Sequence, residues 1–251
     1  MAWLLCNMEN KNLVEQVKKK KEFSQIMDSV VLRAIQKVGR DVKDVRALLR
    51  KYFGVFLTNK IIKGVGEEVL KGHISSRNRD YEELYGKILD GGEKTIIDFG
   101  CGVNGFSYKY LKKVLPGVRY VGVEVVGQLV DNMNKYFVVE GFNAVAIQKD
   151  LFYVDCMKEL LSKQEKPRVV FLFQVIDALE SFEKDFSKKF LSSVAEECEK
   201  IVLSFPVQSL SGKTVFKVKR QWLLDFLDEN FEILDRFTTG GEQFLILKNK
   251  K

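Results

Sequence analysis

At 251 residues, 46% of them apolar, the chain is long enough to bury a full core as one large domain, or as one domain with a smaller appendage. Its four cysteines (Cys6, Cys101, Cys156, Cys198) form no CxxC pair, which argues against a zinc ribbon or a disulfide framework and suits the reducing cytoplasm. The single histidine, His73, excludes a multi-histidine metal site, and no apolar run approaches the ~18 residues of a membrane span.

The apolar start, residues 1–6, is too short for a signal peptide and lacks its basic lead. The net charge of +7 is unevenly spread. Residues 1–90 hold 18 Lys/Arg against 12 Asp/Glu, whereas residues 91–251 are nearly balanced. A basic segment of that length is an electrostatic footprint for a polyanion, although any one lysine run also reads as a solvated helix face.

The first 90 residues read as helices. The Lys18-Lys19-Lys20-Lys21 run follows Leu13, Val14 and Val17, and the pattern predicts that it extends their helix. Val45, Leu48, Leu49, Tyr52, Phe53 and Phe56 form one apolar stripe at three- and four-residue steps. Tyr81, Leu84, Tyr85, Ile88 and Leu89 form another, with Asp80 as its cap. Asp90-Gly91-Gly92 closes this region.

Beyond it the texture alternates. Strands are predicted at 95–99, 119–124, 144–148, 168–173 and 200–205. Helices are predicted at 108–114, 128–138, 153–163, 182–196 and 221–230. Two last strands, 231–237 and 243–247, flank a five-residue gap with two glycines and read as a hairpin. Strands alternating with helices imply a doubly wound parallel sheet, here seven-stranded and mixed because of the closing hairpin. The expected organisation is a helical, basic domain at 1–92, suited to a polyanion, and a Rossmann-like domain at 93–251.

The segment Asp98-Phe99-Gly100-Cys101-Gly102-Val103-Asn104-Gly105 follows the first strand and opens the first helix of the sheet. Glycines at such a turn let the backbone approach a ligand. GxGxxG alone is compatible with NAD, FAD or S-adenosylmethionine. Asp98 beside the turn favours the cationic methionine end over a pyrophosphate. Glu124 ends the second strand, where a carboxylate can take ribose hydroxyls. Asp150-Leu151 after the third suits an adenine edge and face, and Gln174 ends the fourth. Singly each reads as a plain loop residue; together they sit where such sheets bind ligands.

The fourth strand ends without the Asn/Asp-Pro-Pro-aromatic signature of exocyclic-amine methylation, and no Pro-Cys nucleophile follows the fifth. A ring nitrogen with a free lone pair, such as guanine N7, remains as acceptor. It needs no general base, so alignment and exclusion of water suffice and no catalytic acid–base residue is expected.

Three segments carry a family resemblance. His73-Ile74-Ser75-Ser76-Arg77, followed by Asn78-Arg79, resembles the His-x-Ser-Thr-Arg-Glu-Arg motif of the aminoglycoside-resistance 16S ribosomal RNA (guanine-N7) methyltransferases. Residues 98–104 resemble their Phe-Gly-Cys-Gly-Leu-Asn loop. Residues 204–212 resemble their Ser-Phe-Pro-Thr-x-Ser-Leu-x-Gly segment. The resemblance implies a class I methyltransferase using S-adenosylmethionine on the guanine of 16S rRNA nucleotide 1405, in the decoding region of the assembled 30S subunit. No metal, membrane or obligate protein partner is expected, and an aminoglycoside-resistance role and a housekeeping role both stay open.

By this match Arg77 reaches the cofactor carboxylate with His73 beside it, and Asp98, Gly100, Cys101 and Gly102 form the cofactor loop. The same match sets Ser204, Pro206 and Ser209 beside the target base, whereas it is the uneven charge that assigns the run from Lys18 to Lys21 to rRNA contact. The sequence departs from the family at Ser76, Asn78, Gly105, Phe106 and Glu124, which bears on the target nucleotide. Other readings are a methyltransferase for another RNA site, an NAD-dependent oxidoreductase, and a non-catalytic RNA-binding factor.

Overall fold

The computed structural model describes residues 2–58, 61, 64–207 and 220–250, with the backbone alone for 2–9. The helical region runs α1 (Ala2–Lys18), α2 (Asp28–Val38), α3 (Val42–Phe53), α4 (Glu67–Gly72) and α5 (Tyr81–Ile88). Asp41 caps α3 by accepting from Lys43 N and Asp44 N, and Asp80 caps α5 by accepting from Glu83 N at 3.1 Å.

The lysine run does not extend α1. The helix ends at Lys18, Lys20 is extended, and a single 3-10 turn follows at Lys21–Phe23. Two causes are visible. Phe23 is fully buried, which turns the chain inward, and Arg46 of α3 donates to the carbonyls of Gln16 and Val17, capping the helix end.

The sheet contains β1 (Thr95–Phe99), β2 (Arg119–Glu124), β3 (Ala144–Gln148), β4 (Arg168–Phe173), β5 (Lys200–Pro206), β6 (Phe231–Thr239) and β7 (Glu242–Asn249). Its order is β3-β2-β1-β4-β5-β7-β6, with every strand running the same way except β7, which is antiparallel to both β5 and β6. Between strands lie α6 (Tyr108–Val114), α7 (Gly127–Val139), α8 (Val154–Ser162), α9 (Ile176–Phe182), α10 (Phe186–Ala195) and α11 (Gln221–Asn230).

Two differences from the sequence reading are local. The helix expected over 182–196 is two: α9 starts earlier, and Asp185, at φ 60°, breaks the run before α10. The hairpin gap is only Gly240-Gly241, with φ 59° and 82°. Two positive-φ residues make the tight turn that matches strand twist, so β6 and β7 pair up to Thr239 and Glu242.

Alternation within each strand builds two cores. Ile97, Phe99, Val121, Val123, Val170 and Leu172 face α8, α9, α10 and α11. Ile96, Tyr120, Val169, Phe171, Val202 and Phe244 face the other way, into one apolar cluster with α6, α7 and the helical region. That second cluster includes Val17, Phe23, Val45 and Leu49, so the helical region packs on the sheet side where α6 and α7 lie. Among the described residues no helix is long and apolar enough to cross a membrane.

Candidate functional site

The strand order reverses between β1 and β4, which opens a crevice beyond the carboxyl ends of the parallel strands. A cleft lies there. Gly100, Cys101, Gly102, Asn104, Glu124, Asp150, Leu151 and Gln174 line its sheet side. Arg33, Tyr52, Phe53, Phe56, Ser75 and Arg79 of the helical region line its other side. The cleft is therefore shared between the two halves of the chain.

The loop after β1 depends on glycine at two positions. Gly100 has φ +69° and Gly102 φ +51°. A Cβ on Gly100 would stand 2.6 Å from Val175 Cγ2, and one on Gly102 2.7 Å from the Phe56 ring. Side chains there would clash as well as strain the backbone.

Glu124 is buried at the end of β2 and accepts three backbone hydrogen bonds, from Gly102 N (3.0 Å), Val125 N (2.8 Å) and Val126 N (3.0 Å). It braces the loop while lining the cleft. Burial raises its pKa, and the three amides work against that rise. Asp150 accepts from Phe152 N at 3.0 Å through Oδ1, whereas its buried Oδ2 has no hydrogen-bond partner among the described residues. Gln174 holds φ 57°, an uncommon value for a non-glycine residue, and its amide donates to Ser204 O at 3.0 Å.

Asp98 lies beneath the loop and does not line the cleft. Its Oδ2 accepts from Asn104 Nδ2 (2.6 Å) and the Tyr120 hydroxyl (2.9 Å), while Oδ1 is buried without a partner. Burial pushes its pKa up to about 6, against both hydrogen bonds and the charge of Arg79. Cys101 lines the cleft, but burial drives its thiol well above the ordinary range, which leaves it a poor nucleophile.

The residues of the 73–79 segment separate. His73 is buried, stacks on Phe56 at 4.7 Å between ring centroids, and places Nδ1 2.8 Å from Ser75 Oγ. Burial lowers its pKa to about 4, so it is a neutral packing residue behind the cleft wall. Arg77 is exposed and is not among the lining residues. The guanidinium in the cleft wall is that of Arg79, which donates from Nε and Nη2 to both oxygens of Glu242 and from Nη1 to Asn104 Oδ1 at 3.4 Å. Burial works against its charge and the Glu242 carboxylate more than offsets this, raising its pKa.

Ser204 is buried in β5 and donates to Glu242 Oε2 at 2.8 Å. Pro206 ends that strand opposite Glu242 in the β5–β7 ladder, and neither residue lines the cleft. Ser209 lies outside the described residues. Of the lysine run, Lys18 pairs with Asp28 while Lys19, Lys20 and Lys21 are exposed. Lys20 also joins Arg40, Lys43, Arg46 and Arg50 around a basic groove at the start of α3.

Sequence reasoning missed Arg33, Phe56 and Glu242. Arg33 and Phe56 sit in helical patterns that carry no ligand signal, and Glu242 is a hairpin acid. Arg79 was within reach, since it belongs to the same 73–79 segment as His73 and Arg77.

The whole arrangement has solved counterparts. No family model matches the chain, and no curated protein does. The 16S rRNA methylase RmtB superposes with a TM-score of 0.73 at 18% identity, over 96% of this chain and 98% of its own. The chain has the fold of the 16S rRNA methylases. The 16S rRNA methyltransferase RmtF, solved in complex with S-adenosyl-L-homocysteine, gives 0.73 at 17% identity, covering 96% and 98% of the two chains. An rRNA methylase from Escherichia coli gives 0.70 at 17% identity over 96% and 100%. The superpositions take in the helical region as well as the sheet.

Proposed function

We propose that the chain transfers a methyl group from S-adenosylmethionine to N7 of a guanine in 16S rRNA within the 30S subunit, at the decoding-region position that the sequence resemblance implies. The observation that carries this reading is the convergence of the glycine loop, Glu124 and Asp150 on one cleft at the strand reversal. The likeness to RmtB and RmtF over 96% of the chain supports it.

The residues present fit the cofactor. Asp150 Oδ2 is a buried acceptor without a hydrogen bond among the described residues, suited to an exocyclic amine. Glu124, at the end of β2, lines the cleft with a carboxylate suited to ribose hydroxyls. The pairing of Arg79 with Glu242 uses Nε and Nη2 and leaves Nη1 with only a long bond to Asn104 Oδ1, so this cleft-lining guanidinium keeps donor capacity suited to a carboxylate. The role that the motif gave to Arg77 therefore falls on Arg79. Asp98, sunk under the loop with an unpaired oxygen, makes the loop hostile to a pyrophosphate and favours the methyl donor over NAD.

The cofactor supplies a methyl group on a sulfonium, already activated for attack. The residues of the chain bind, orient and keep water out: Phe53, Phe56 and Phe173 wall the cleft with apolar surface. No side chain is assigned as a general base, because a guanine N7 brings its own lone pair. We assign residues 1–92 to rRNA docking and 93–251 to methyl transfer. Thermal melting tests the cofactor: S-adenosylhomocysteine raises the melting temperature and NADH does not. The reverse ranking would overturn the methyltransferase reading in favour of an oxidoreductase.

A further inference from the structure

Arg33 belongs to α2 of the helical region, yet it reaches the cleft. Its guanidinium carbon lies 3.8 Å over the Phe152 ring centroid. Nη2 stands 3.7 Å from Asp150 Oδ2, and Nη1 3.9 Å from Glu183 Oε2. Both are too long for hydrogen bonds. Arg33 Nε and Asp150 Oδ2 are each buried with no hydrogen-bond partner among the described residues. Two cleft-lining residues at ion-pair distance thus carry a buried donor and a buried acceptor without hydrogen bonds among the described residues.

Buried polar groups are normally satisfied, and this pair suits a ligand edge that brings both a donor and an acceptor. The matching edge carries a donor next to an acceptor. An amine beside a ring-nitrogen lone pair has that pattern, and adenine presents it twice, at C6 with N1 and at C6 with N7. Guanine and hypoxanthine carry an oxygen at C6, which would face the Asp150 carboxylate. We infer that Arg33 is a binding residue for the base of the cofactor, donating to a ring nitrogen of adenine while Asp150 accepts from its amine. This rests on the S-adenosylmethionine reading of the cleft. It gives the helical region a direct part in cofactor selection. Stacking on Phe152 holds the guanidinium plane in place before the ligand arrives.

Calorimetry on the full chain tests it with S-adenosylhomocysteine, its 1-deazaadenine and 7-deazaadenine analogues, and its hypoxanthine analogue. In the wild type, one deaza analogue binds about tenfold or more weaker than S-adenosylhomocysteine, the size of one charge-assisted hydrogen bond. Arg33→Met loses a similar factor with S-adenosylhomocysteine and no further factor with that analogue. Arg33→Lys, which keeps a donor without the planar stack, shows the same non-additivity with a smaller loss and serves if the Met variant misfolds.

Wild-type affinity for S-adenosylhomocysteine in the folded Arg33 variants would overturn the assignment. So would losses that add in full, which mark a merely structural role. A wild type that binds none of the four ligands overturns the cofactor reading itself.

Discussion

Arg79 and Glu242, 163 residues apart in the chain, form a two-pronged ion pair with Nε–Oε1 at 2.7 Å and Nη2–Oε2 at 2.9 Å. Both side chains are about 95% buried. The β6–β7 turn makes the approach feasible: a Cβ on Gly240 would stand 2.6 Å from the Asn78 carbonyl oxygen, so the hairpin presses against the segment that carries Arg79. One carboxylate thus joins the helical region to β7 and, through Ser204, to β5.

Removing one partner of such a pair leaves an uncompensated buried charge. Glu242→Gln should therefore lower stability by about 3–5 kcal/mol. The paired change Arg79→Met with Glu242→Leu should cost clearly less, because no buried charge is stranded. Urea unfolding of the three variants checks this. A double variant as unstable as the single one contradicts the stranded-charge explanation.

The two arginines of the 73–79 segment separate cofactor binding from surface charge. Arg77 is exposed, so Arg77→Ala should bind S-adenosylhomocysteine as the wild type does. Arg79→Lys keeps the charge but loses the planar fork, and should bind it about tenfold or more weaker. Calorimetry on the folded variants reads both. The opposite ranking would return the carboxylate role to Arg77.

Much of the fold and of the site is legible in the sequence. β1, β2, β3 and β4 fall on their predicted residues because each is an apolar run closed by a turn signal, which local chemistry decides. Gly100, Gly102, Glu124 and Asp150 are legible for a related reason: topology alone brings consecutive strand ends together. The exit of Lys19 and Lys20 from α1 is not, because Phe23 burial and the Arg46 cap are tertiary. Glu242 and Arg33 are invisible for the same reason, since their meaning lies in partners on distant elements.

Two buried groups give opposing pH dependences. His73 falls from 6.5 to about 4 on folding, so the native state binds fewer protons than the unfolded chain between those values. Its contribution is complete above pH 6.5 and is lost as pH falls toward 4. Asp98 rises from 3.8 to about 6, so the native state binds more protons there, and its contribution weakens as pH rises from 4 to 6. Each spans roughly 3 kcal/mol at 1.36 kcal/mol per pKa unit. Relative to the wild type, Asp98→Asn should therefore gain stability as pH rises from 4 to 6, and His73→Gln should lose it. Urea titrations at pH 4, 5, 6 and 7 decide, and parallel curves would refute the role of burial.

The basic groove at α3 carries the RNA-docking expectation. Lys18 is paired with Asp28, Arg46 caps α1 and Arg50 pairs with Glu22, whereas Lys19, Lys20, Lys21 and Lys43 are exposed. Changing those four lysines to Glu should flatten the dependence of 30S binding on log salt by up to ~0.9 for each phosphate no longer neutralised. Cofactor affinity should not change. An unaltered slope, measured by filter binding across salt concentrations, would make these lysines a solvated face.

The proposed methyl transfer to a guanine ring nitrogen of small-subunit RNA is read out by incubating the chain with S-adenosylmethionine carrying a labelled methyl and with 30S subunits, then mapping the labelled nucleotide. One label per subunit is expected, on N7 of a decoding-region guanine, revealed by strand cleavage on reduction and aniline treatment. Stable 30S binding with cofactor bound but no label, or a label on an exocyclic amine or ribose hydroxyl, would contradict it.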